Sequence, residues 1–192
     1  MVPVYRVLLP LVCLAALRGQ SPAAAPQAAG MMTPWEIAPV LQEIADHGVR
    51  LKTALDRLDV KAWIGHGASE TYLEQWQSSS DQARAMADGA RVLARNPERL
   101  SAGLELLFRM RALDVMIGSL EEGMRKYQKP ADAQQMVALA AQIGPDRERF
   151  ERYLVGLAEG QEQQLAVMNK EAQRCRSMAM PAPSSSRTGK KN

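Results

Sequence analysis

Aromatic side chains are scarce in this chain. Phe, Trp and Tyr together make up 5% of its 192 residues, with only two phenylalanines. A β-sandwich core draws on aromatic and β-branched side chains, so this composition argues against one. Cysteine and histidine are as rare, with Cys13, Cys175, His47 and His66 the only four. Cys-x-x-Cys-His, the signature of covalent haem attachment, is absent, and so are zinc-ligand spacings. No Gly-rich phosphate loop or nucleic-acid module occurs. Ser78, Ser79 and Ser80 have no His or Lys motif beside them that would activate a hydroxyl. The sequence therefore offers no catalytic constellation, and the expectation is a non-enzymatic protein without a metal or cofactor.

Long apolar runs are missing as well. The longest, Val7 to Leu17, is broken by Pro10 and is eleven residues long. As a helix it would span about 16 Å, half the apolar thickness of a bilayer, so no stable transmembrane anchor is expected. Arg6 precedes the run, and the small residues from Ser21 to Gly30 follow it. Basic start, short apolar core and small residues are the pattern of a secretory signal peptide. Residues 1–30 thus read as a signal peptide and Ala/Pro-rich leader, with several cleavage points open. The alternative is a disordered Ala/Pro-rich leader on a cytoplasmic protein. Val12 before Cys13 is too bulky for lipoprotein processing, and Cys13 reads as a small apolar residue. Export places the protein in the periplasm or outside the cell.

Removing the leader changes the charge. Of 24 basic residues it takes Arg6 and Arg18, leaving 22 against 21 acidic ones. A near-neutral chain has no general affinity for nucleic acid. Cys175 is left without a partner in its own chain, either buried or reactive. Arg174 and Arg176 flank it and would favour a thiolate. Its place on an apolar seam favours burial, and partial burial with a reduced, mostly monomeric thiol is expected.

What the chain does have is helical spacing. Thr33-Pro34-Trp35-Glu36 is a capping residue, a helix-starting Pro and a capping-box Glu. Ile37, Leu41, Ile44, Leu51, Leu55 and Leu58 then form a heptad seam with Gly48 in the missing place, where a neighbour can approach closely. Residues 59–72 interrupt the pattern, with Gly65 and Gly67 ending a helix and Ser69 capping the next. That helix carries the small-residue seam Ser80, Ala83, Ala87, Ala90 and Ala94 behind Leu73 and Trp76. Asn96-Pro97 reads as the next start. Leu100 to Tyr127 is rich in Leu and Met, with Phe108, Val115 and Met116 widening its apolar face, and is expected to be the most buried helix. A shorter helix follows Lys129-Pro130. The last begins near Pro145 and runs to about Met178 along Phe150, Leu154, Leu157, Gln161, Leu165, Met168, Ala172 and Cys175.

The expected fold is all-α: an antiparallel bundle of four or five helices over residues 33–179, because short breaks make consecutive helices neighbours. Residues 180–192, Pro/Ser-rich and basic at the end, read as a disordered tail. Trp63, Tyr72 and Trp76 surround the glycine loop and form either a pocket wall or a hydrophobic plug, the plug being the commoner arrangement. His47, one turn after Glu43, reads as a surface residue and His66 as a loop residue. The leading function is an exported module for protein interaction or self-association. The runner-up is a bundle that binds a ligand or a non-covalent haem through His and Met.

Overall fold

The computed structural model describes residues 32–179. The leader and the basic tail lie outside the described residues. Six helices run α1 (Pro34–Leu55), α2 (Val60–Gly65), α3 (Thr71–Arg95), α4 (Leu100–Tyr127), α5 (Pro130–Ala141) and α6 (Gly144–Ala179), and no strand occurs among the described residues. Five of them make the antiparallel bundle as four rods: α1, α3, α4 and α5 with α6 as one broken rod.

Local chemistry sets the helix ends. The Thr33 amide and hydroxyl both donate to the Glu36 carboxylate, each at 2.7 Å. Those bonds hold the Glu36 carboxyl below its ordinary range. Residues 59–72 differ from expectation, because they contain the short α2. Asp59 caps it by accepting from the Ala62 amide at 3.0 Å. Gly67, at φ 89°, then reverses the chain in a conformation that side chains with a Cβ resist. Asn96-Pro97 forms a turn, not a helix start, and α4 begins three residues after Pro97 at Leu100.

Cross-links fix the directions. The Trp76 Nε1–H donates to the Leu55 carbonyl at 2.8 Å, tying the end of α1 to the start of α3. Gly48 packs so tightly on α3 that an added Cβ would stand 2.8 Å from the Ala83 carbonyl oxygen. Ser119 bonds Gln75, and Arg109 bonds Gln82, so α4 runs antiparallel to α3. Arg147 pairs with Asp114, Arg111 with Glu151, and Gln161 donates to the Glu98 carbonyl, so α6 runs antiparallel to α4. The ring closes where α6 meets α1.

The core holds Ile37, Leu41, Ile44, Leu55, Met86, Leu93, Met110, Leu113, Leu120, Met124 and Phe150. Two expectations about burial fail. In α1, nine of 22 residues are buried, against nine of 28 in α4, so the central position belongs to α1. It is gripped by α3 on one side and by the α5–α6 rod on another. Phe108 and Val115 face outward, because α4 turns its other side, through Leu106, Leu107, Met110 and Leu113, to its neighbours.

Candidate functional site

The bundle ends before α6 does. Phe150, Tyr153, Leu154 and Leu157 are buried against it. Gln161 meets Glu98, which lies just before the first turn of α4. From 162 to 179 the side chains are exposed, apart from a half-buried Ala172. Eighteen residues of helix, about 27 Å, project past the bundle. Leu165 and Met168 stand 58% and 66% exposed on this overhang, and Met178 is 70% exposed. Cys175 is a free, exposed thiol.

This corrects the expectation for Cys175. The seam does continue at steps of 3 and 4, but no rod of the bundle is long enough to cover it. Leu165, Met168, Ala172 and Cys175 therefore form an uncovered apolar stripe, on the helix face that carries Phe150, Leu154 and Leu157. Covering Leu165 or Met168 in a partner would contribute about 1.5–3 kcal/mol each. Such a stripe is the usual form of a helix that docks in a groove or against another helix.

Trp63, Tyr72 and Tyr127 lie together at the opposite end. Trp63 is buried, with Tyr72 edge-on at 6.0 Å and Tyr127 stacked at 6.4 Å. Tyr127, on the expected α4 seam but not foreseen in this group, also sets its hydroxyl 3.4 Å from the Gly67 carbonyl. Gly123 makes room for these rings, since a Cβ there would meet Tyr72 at 2.9 Å and Trp63 at 3.0 Å. Trp76 is not in contact through its ring nitrogen with this group; it turns to Leu55 instead. Trp63 and Tyr72 come together with Tyr127, and Trp76 ties off α1.

His47 departs furthest from expectation. It is fully buried, and neither ring nitrogen has a hydrogen-bond partner. Burial lowers its pKa to about 4, helped by the Arg50 charge and opposed by Glu43, so the ring is neutral. Its neighbours on the helix surface are busy elsewhere: Arg50 pairs with Glu43 at 2.5 Å. His66 is exposed, as expected for a loop residue.

A cleft of about 390 Å³ opens between the end of α1, the end of α4 and α5, lined by residues that include Arg57, Leu58, Met124, Gln128, Asp132 and Met136. The Gln128 Oε1 is buried beside it without a partner. The cleft supplies two methionines but neither histidine, so a His/Met haem pair has no common cavity there. Among the described residues, no three His, Cys, Asp or Glu side chains gather as metal ligands, and no helix is long and apolar enough to cross a membrane. Comparison with protein-family models, with curated proteins and with solved structures finds no match.

Proposed function

We propose that this chain is a non-enzymatic interaction module, a helical bundle that holds out the second half of α6 as a docking helix. One observation carries the reading: Leu165 and Met168 lie exposed, one turn apart, on a helix whose other half is fixed to the core. Exposed apolar side chains that recur at helical spacing mark interaction surfaces more often than scattered ones do. The anchored half also lowers the entropic cost of docking, because the helix does not have to be nucleated from coil. The signal-peptide pattern of residues 1–30 supports export as the setting, and the mass of the protein recovered outside the cytoplasm tests it: an intact Met1 would remove export from the proposal.

Photo-cross-linking tests docking directly. A photoreactive residue replacing Leu165 or Ala172 in the full chain should give protein adducts in cells. The same residue at Lys170, on the opposite face, should give few. Equal yields at all three positions, or none at any, would contradict the reading.

A further inference from the structure

We propose that the overhang docks on the overhang of a second copy, the two helices running antiparallel about residue 170. This rests on the docking reading above and names its occupant.

The sterics of the bundle select the direction. Leu165, Met168, Ala172 and Cys175 continue the face on which Phe150, Leu154 and Leu157 meet the core. In a parallel pair, the partner's α6 would have to enter the space already filled by α1 and α4. In an antiparallel pair, only residues 161–179 overlap, and the two bundles sit at opposite ends of the joint.

The spacing then selects a register. Symmetry about residue 170 puts Leu165 across from the partner's Cys175, and Met168 across from the partner's Ala172. Each layer sets a large side chain against a small one, and every member of the stripe is covered. A slip of one heptad one way leaves Leu165 bare, and a slip the other way drives Cys175 alongside residue 158, where the partner's bundle stands. Charge fits the same register. Glu162 comes beside the partner's Arg176, and symmetry repeats that pair. Glu171 faces the partner's Glu171, the single repulsive contact. The overhang carries Glu162 and Glu171 against Lys170, Arg174 and Arg176. That mixture suits a matching helix better than it suits a uniformly acidic surface such as an anionic membrane.

The overlap is about two and a half heptads, short of the three to four that mark an autonomous coiled coil. Pairing should therefore be reversible and depend on concentration. The geometry also assigns Cys175 a role. It lies ten residues, about 15 Å along the axis, from the partner's Cys175, beyond the reach of about 7 Å for a disulfide. The thiol is covered by Leu165 of the other chain and is not joined to its own counterpart.

Sedimentation of the full chain from about 1 µM to about 1 mM should show monomer passing to dimer. Glu162→Arg or Arg176→Glu alone should weaken the dimer about tenfold or more, and the two changes together should restore it. Glu171→Gln should tighten it. Leu165→Cys should cross-link to the partner's Cys175 when oxidised glutathione is added, the two thiols yielding two protons and two electrons to that disulfide. The unchanged chain should not cross-link. Circular dichroism checks that each variant, altered only at exposed positions, stays folded. A monomer at every concentration would overturn the proposal. So would a dimer joined Cys175 to Cys175, which requires parallel helices or an antiparallel register centred on residue 175, or a dimer indifferent to Leu165→Glu. A monomer with a shielded Cys175 would show instead that residues 1–31 or 180–192 of the same chain cover the stripe. Loss of the dimer with survival of cross-links to another protein would end this inference and leave the docking reading intact.

Discussion

His47 costs the fold free energy that an apolar residue would not. Both of its ring nitrogens gave up water on burial and gained no partner, a loss of about 1–3 kcal/mol for such a group. The protonation balance adds to this. In the unfolded chain the ring takes a proton below about pH 6.5, whereas in the fold it stays neutral down to about pH 4. Stability is therefore complete above pH 6.5 and falls as the pH drops toward 4. Between pH 7 and pH 5 the loss should be about 2 kcal/mol, before most carboxylates titrate. Denaturation of the unchanged chain should show that slope. His47→Leu should remove it and raise the stability at neutral pH, and an unchanged slope would refute the assignment. Two glycines make a matched pair at the same scale. Gly48→Ala drives a Cβ to 2.8 Å from backbone, and Gly118→Ala meets nothing within 4 Å. The first should destabilise by about 2 kcal/mol despite alanine's better helix propensity, and the second should stabilise by about 0.5–1 kcal/mol. Thermal melts that moved both variants the same way would contradict the packing described for α1 and α3.

Some helix starts carried by side-chain chemistry were legible in the sequence. Those expected from Ser69 and from Asn96-Pro97 were not, because α3 begins after Glu70 without a side-chain cap and α4 begins after Arg99. The cap at Thr33 and the prolines at 130 and 145 stand where the structure has helix ends, and a close approach at Gly48 was legible from the missing seam member, though not that the neighbour is the Ala seam of α3. The face of a helix with two neighbours was not. Seam spacing describes one contact, and α1 makes two, so Val40, Ala45 and His47 are buried beside the expected line. The same limit hid the outward turn of Phe108 and Val115, whose apolar character alone assigned them to the core. The overhang was legible by a different measure, length. The α5 and α6 helices hold 12 and 36 residues, 48 together, against 28 in the antiparallel α4, an excess of 20. Spacing says that Cys175 lies on an apolar stripe, and length says that nothing in the bundle covers it. In dilute protein Cys175 should accordingly react with a thiol reagent at nearly the rate of a free peptide thiol. Slow labelling at low concentration would restore the buried reading.

At the scale of the whole molecule, the proposed function divides the chain into a bundle that holds and a second half of α6 that is held out. Four rods close around the core, the Trp63, Tyr72 and Tyr127 rings fill one end, and α6 leaves from the other. A helix of eighteen residues that has no tertiary contacts among the described residues is marginal in water. Its far turns should open easily while the half bound to the core stays closed. Hydrogen exchange resolved along α6 in dilute full-length protein measures this division most directly. Amides of residues 147–158 should exchange orders of magnitude more slowly than those of residues 165–179, and the latter should slow as the protein is concentrated. Equal, slow exchange along the whole of α6 at low concentration would contradict the account, because the stripe would then be covered within a single chain and not free to dock.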